Sequence, residues 1–160
     1  MANELLGVYL NDHLAGSAAG LELAEKLRDN NQGTELGKVV AVLHHDIEQD
    51  RATLEELMAR LEVDRHSVKE KAGWLLERLS RLRLNPVLTG SADLTRLLET
   101  EALSLGIEGK RLMWMALKEA AADDERLAAT DFDRLIERAA SQRRTLEPHR
   151  VAAARQSFSA

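Results

Sequence analysis

The stretch Leu36–Leu61, LGKVVAVLHHDIEQDRATLEELMARL, decides how the rest of the chain is read. Its apolar residues Leu36, Val40, Leu43, Ile47, Leu54, Leu57 and Leu61 fall on an alternating four-and-three rhythm. That rhythm is the seam of a helix packed along another helix. One place lacks its hydrophobe: where the rhythm calls for an apolar residue at position 50, the chain has Asp50. An acid on a buried stripe needs a partner, because burying it alone costs several kcal/mol.

Upstream, residues 3–29 carry a second helical stripe through Leu6, Leu10, His13, Ser17, Gly20 or Leu21, Ala24 and Leu27. Its centre is small, Ala15-Gly16-Ser17-Ala18-Ala19-Gly20. Glycine inside a helix costs about 1 kcal/mol relative to alanine, and the expected return is a close helix–helix approach. Asn30-Asn31-Gln32-Gly33 ends this helix, and Thr34 is the expected N-cap of the next, over 34–62. So short a loop makes an antiparallel hairpin. Pairing residues whose numbers sum to about 64 sets Leu10 by Leu54, Ser17 by Ile47, Leu21 by Leu43 and Ala24 by Val40. The same rule sets His13 by Asp50, so the two ionisable exceptions are expected as a buried polar pair.

Downstream, Ser67-Val68-Lys69-Glu70 reads as a capping box opening a helix over 67–83, with Val68, Ala72, Leu75, Leu79 and Leu82 on one face. Trp74 lies off that face, Glu77 and Arg81 are a supporting pair, and Asn85-Pro86 stops the helix. A helix over 91–121 starts at Ser91. Its main stripe is read as Leu94, Leu98, Glu101, Leu105, Leu112 and Ala116, with Leu103, Ile107, Trp114 and Leu117 as a second apolar line. Gly106 and Gly109 weaken it locally. Residues 122–129 read as a polar loop. Thr130-Asp131-Phe132-Asp133 begins a last helix over 130–155, with Phe132, Leu135, Ala139, Gln142, Leu146, His149 and Ala153 on its stripe. Pro148 is expected to kink or break it near Thr145, with the chain fraying beyond Arg155.

Composition agrees with an all-α chain. Of 160 residues, 44% are hydrophobic and only 3% aromatic, and there are two prolines. Good helix formers dominate and strand formers are scarce. The length suits a single domain over 1–160. With no cysteine, disulfides, thiolate zinc sites and thiol nucleophiles are excluded. No signal peptide and no membrane span is read, so a cytoplasmic location is expected. Residues 1–62 hold 5 Lys/Arg against 12 Asp/Glu. An acidic first half argues against nucleic acid as a partner.

Four long helices in two hairpins, joined by a long crossover with its own helix, describe a ferritin-like antiparallel four-helix bundle. The wording Tyr9-Leu10-Asn11-Asp12-His13-Leu14-Ala15-Gly16, then Arg81-Leu82-Arg83-Leu84-Asn85, then Leu105-Gly106-Ile107-Glu108-Gly109-Lys110, resembles a group of bacterial ferritin-like proteins lacking the usual di-iron motif. Di-iron members of that superfamily use Glu-x-x-His on two helices. This chain has no Glu-x-x-His, so the resemblance supplies no ligand set.

Two readings of function follow. The first is a non-enzymatic structural or interaction protein with no cofactor, associating as a homo-oligomer through an apolar helix face, with Met113, Trp114 and Met115 as candidate contacts. The alternative is a metal-binding or oxidative enzyme with an atypical core site of His13, Asp50, Glu101 and His149, whose imidazoles and carboxylates suit iron, manganese or zinc. That site needs all four at one height, whereas a ferritin-type crossover splits them into two pairs. His44-His45-Asp46 reads as a solvated face because adjacent helical residues point about 100° apart. Glu99 and Glu101 diverge likewise. Arg143, Arg144, Arg150 and Arg155 form a basic end, read as a solvated or interface face. A small-molecule ligand has only the small residues of Gly16–Gly20 to recommend it.

Overall fold

The computed structural model describes residues 2–65 and 91–159. Among these residues there are five helices and no strand. They are α1 (Ala2–Asn30), α2 (Glu35–Arg60), α3 (Ala92–Ala120), α4 (Glu125–Ala128) and α5 (Phe132–Phe158). The helix expected over 67–83, with its capping box, Trp74 and the Glu77–Arg81 pair, lies outside the described residues. So do Asn85-Pro86 and the 81–85 wording. No helix among the described residues is long and apolar enough to cross a membrane.

The α1–α2 hairpin forms as its loop chemistry requires. Gly33 has φ +78, the left-handed conformation that glycine adopts without strain. Thr34 caps α2 by accepting from the Gly37 N–H at 3.1 Å, and its hydroxyl donates to the Asn31 carbonyl at 2.7 Å. A Cβ on Gly37 would sit 2.1 Å from that carbonyl oxygen. The close approach therefore lies at this turn. At Gly16 and Gly20, where small residues raise the same expectation, a Cβ would meet nothing within 4 Å. Those glycines border a gap rather than a neighbouring helix.

α1 packs most extensively on α2, and α3 on α5; the two hairpins meet through α1 on α3 and α2 on α5. Lys26 pairs with Glu99, and Arg96 donates to Asn31 at 3.0 Å, so α1 ends beside the start of α3. Arg138 pairs with Asp50 and Gln142 donates to Asp46, so α2 and α5 are also antiparallel. It follows that α2 and α3 run in the same direction at opposite corners, and that α3 begins at the end of the molecule away from where α2 stops.

The seam of α2 is buried along its whole length, Asp50 included. Two core clusters divide the interior. Leu10, Leu14, Leu54, Leu57, Met113, Trp114 and Leu117 meet at one end. Leu23, Ala24, Leu36, Val40, Leu43, Leu103 and Ile107 meet at the other, with Leu21 packed against them. These groupings agree with the sum-of-64 register of the first hairpin.

Several local expectations are corrected. On α3 the buried line is Leu103, Ile107, Trp114 and Leu117, whereas Leu105 and Leu112 are exposed. Both lines are apolar, and periodicity alone cannot say which faces inward. Residues 125–128 form a turn of helix that buries Leu127, where a polar loop is expected. The cap of α5 is Asp131 rather than Thr130, accepting from the Arg134 N–H at 3.0 Å. Pro148 interrupts nothing: α5 runs through it to Phe158. Proline there is exposed, so water can satisfy the carbonyl four residues back that loses its donor.

Candidate functional site

Asp50 occupies a seam place in the middle of α2 and is 2% exposed. Its carboxylate is held by two cations from the other hairpin. Lys110 of α3 pairs with Oδ2 and Arg138 of α5 pairs with Oδ1. The network continues through Gln142, also buried, which accepts from Lys110 Nζ at 2.7 Å and donates to Asp46 at 3.2 Å. Arg138 also donates to Gln49 at 3.0 Å. Two carboxylates and two cations thus balance around one amide. Asp50 is paired with both cations and Asp46 accepts from the Gln142 amide, which offsets most of the burial cost, although Arg138 Nε is a buried N–H that reaches no acceptor among the described residues.

The electrostatics of Lys110 show both sides of that balance. Burial pushes its pKa down and Asp50 pulls it up; Arg138 presses it down further and Asp46 opposes this. Removing Asp50 would leave burial and Arg138 acting against the ammonium, opposed only by Asp46 and the hydrogen bond to Gln142.

The expected His13–Asp50 pair takes another form. Both residues line the same cavity, but the hydrogen-bond partners of Asp50 among the described residues are Lys110 and Arg138, and His13 is not one of them. His13 instead meets Tyr9 edge-on, ring centroids 4.7 Å apart. Burial lowers its pKa, while Asp12 pulls it up. The register arithmetic places the two at one height but cannot see a long cation arriving from the opposite corner.

The four residues of the alternative metal site fall on two levels. Glu101 lies nine residues before Lys110 on α3, about 13 Å at the helical rise. There Arg150 donates to it at 3.2 Å. His149 precedes Arg150 and lies near Glu35 at the start of α2. Among the described residues, no three His, Asp or Glu side chains form a group that could hold a metal ion.

The other candidates disperse in the same way. His44 lies 3.7 Å from Glu48, His45 contacts Gln49 at 2.9 Å, and Asp46 turns inward to Gln142. Glu99 goes to Lys26 on α1 while Glu101 goes to α5. At the basic end, Arg143 pairs with Glu108, Arg144 with Glu137 and Arg150 with Glu147. Exposed pairs of this kind are worth little each. Met113 and Trp114 belong to the core; of the three proposed contact residues only Met115 is exposed.

Beside the network, between α1, α2 and α3, lies a cavity of about 500 Å³ that is open to solvent, with Gly16, Leu105 and Gly106 of its wall exposed. Gly16 and Gly20 of α1 and Gly106 and Gly109 of α3 line it, and a Cβ at any of them would meet nothing within 4 Å. Asp50 and Lys110 form part of its wall, as does Trp114. Trp114 is 0% exposed, and no acceptor among the described residues reaches its indole N–H. A buried donor left unmatched costs about 1–3 kcal/mol. Sequence reading flagged the small residues of α1 but missed the cavity, since the opposing glycines on α3 read only as weak points. No protein-family model, no curated protein and no solved structure matches this chain.

Proposed function

We propose that the chain is a non-enzymatic structural or interaction protein, a ferritin-like antiparallel four-helix bundle with a crossover segment and without a di-iron site. The observation that carries this reading is the state of Asp50. It is the most deeply buried acid in the described interior, and both its oxygens are taken by cations. A metal ion at Asp50 would be set against the two positive charges of Lys110 and Arg138. The carboxylate instead joins the two hairpins. The up-down-down-up course of α1, α2, α3 and α5 supports the ferritin-like part of the reading. A cytoplasmic location belongs to it too, and a chain without cysteine is compatible with one. The exposed α3 line of Leu105, Leu112 and Met115 is the face assigned to association between copies.

The test is elemental analysis of protein produced with iron, manganese and zinc in the medium, paired with sedimentation velocity. The expected results are metal well below one equivalent per chain and a self-associating species weakened by Leu105→Glu with Leu112→Glu. One equivalent of metal, lost in both His13→Ala and Asp50→Asn, would replace this reading with the atypical metal site. A strict monomer at all concentrations would remove the association.

A further inference from the structure

We propose that the open groove between α1 and α3 is a docking surface for residues 66–90 of the same chain, whose apolar stripe Val68, Ala72, Leu75, Leu79 and Leu82 covers it. This inference rests on the course of the described helices and stands apart from the reading of function above.

The first observation is where the chain leaves α2 and where it enters α3. After α2 the backbone turns at Glu62, φ 56, and crosses to α1. Val63 packs on the cluster around Leu10, 3.6 Å from where a Cβ on Gly7 would lie. Asn11 donates to the Asp64 carbonyl at 3.0 Å. At the other end Ser91 caps α3, and Arg96 one turn later donates to Asn31, just past the end of α1, at 3.0 Å. Both anchor points therefore lie along α1, at Asn11 and Asn31, about 30 Å apart at the helical rise. A helix over 67–83 would span about 25 Å of this, and residues 84–90 supply the remainder and the turn.

The second is the shape between those points. α1 packs extensively on α2, but toward α3 it leaves the groove. Gly16 and Gly20 border it on one side and Gly106 and Gly109 on the other, and a Cβ on any of them would meet nothing within 4 Å. The direct path from Asn11 to Asn31 runs over these glycines. Asn11 and Asp64 are 53 residues apart. Carrying that offset along two parallel helices sets Val68 and Ala72 at the heights of Ala15 and Ala19, beside Gly16 and Gly20. An apolar stripe that must be buried thus passes an apolar floor that lacks a cover.

The third is charge. Residues 66–90 hold 5 Lys/Arg against 2 Asp/Glu, whereas residues 1–62 hold 5 against 12. Asp12 and Glu101 belong to the groove wall. A stripe flanked by cations complements a groove with acids at its margin. Leu112 and Met115 are not part of the wall, so docking leaves them to the association face; Leu105 is common to both surfaces.

The chain has no cysteine, so introduced thiols report on single positions. The full chain is prepared as Gly16→Cys, Gly106→Cys and, on the α2–α5 side, Val42→Cys, and each is treated with a maleimide under native conditions. The first two should react at least about tenfold more slowly than Val42→Cys, independently of protein concentration. Adding Leu75→Glu with Leu79→Glu should abolish the difference. In a second measurement, which needs no charge in the stripe, Ala72→Cys with Gly20→Cys should close into an intrachain disulfide, and Ala72→Cys with Val42→Cys should not. The proposal fails if the groove thiols react as fast as Val42→Cys, or if the Val42 pair closes and the Gly20 pair does not. It also fails if protection grows with protein concentration, since a second copy then fills the groove.

Discussion

Lys110 on α3 donates to the carboxylate of Asp50 on α2, although these helices stand at opposite corners and scarcely touch. The bond crosses the interior, and Arg138 of α5 closes on the same carboxylate from the side. One acid therefore ties three helices together. Asp50→Leu should cost about 3–5 kcal/mol in urea unfolding, because it leaves two partly buried cations facing each other. Lys110→Met should cost less, since Arg138 still holds Asp50. Replacing all three with Leu, Met and Leu should restore most of the loss. A triple variant as unstable as Asp50→Leu would show that the network contributes more than mutual compensation.

Two glycine substitutions should move the melting temperature in opposite directions. At Gly37 an added Cβ meets a backbone carbonyl oxygen at 2.1 Å, so Gly37→Ala should destabilise the hairpin strongly. At Gly109 the added methyl enters open space inside a helix. Gly109→Ala should therefore raise stability by about 0.5–1 kcal/mol. Equal shifts of the same sign would contradict the local geometry at one of the two sites.

The loop between α1 and α2 depends on Thr34, which accepts from Gly37 and donates to Asn31. Thr34→Ala should cost about 1 kcal/mol, the usual worth of an N-cap. Thr34→Ser should restore nearly all of it, because serine keeps the hydroxyl. Amide hydrogen exchange should locate the loosening in the first turn of α2.

His13 gives stability a pH dependence with a definite sign. Burial lowers its pKa from the ordinary 6.5. As pH falls, the unfolded chain therefore takes up the proton first, and stability falls with it. The contribution is fully present above about pH 6.5 and is lost as pH drops toward the folded-state value. Unfolding free energies at about pH 7.5 and about pH 5.5 should show the parent losing more than His13→Gln. Parallel losses in the two proteins would mean that His13 titrates alike folded and unfolded.

The seam of α2 was legible because its period and its one exception are both local properties of sequence. The same is true of Gln142, which stands out on the α5 stripe and proves to be the amide at the centre of the network. The partners of Asp50 were not legible in this way. Arg138 lies beside the stripe of its helix and reaches inward with a long side chain, while Lys110 fills the vacant place between Ile107 and Trp114 on the α3 line that was read only as the second apolar line. The signal available was the pairing of Gln142 with Arg138 one turn before it, a second polar residue turned toward α2. On α3, two apolar lines competed and only packing chose between them. The glycines were visible, but a close approach and a gap both demand small residues, so spacing cannot separate the two.

The charge distribution of the interior also sets which halves can meet. At this level the α1–α2 hairpin contributes Asp46 and Asp50, while the α3–α5 hairpin contributes Lys110 and Arg138. Two copies of the first hairpin face to face would enclose only carboxylates, and two of the second only cations. Each half is therefore a poor partner for itself and a good one for the other. The buried network is a recognition code written inside a single chain, discouraging like-with-like assembly while the protein folds.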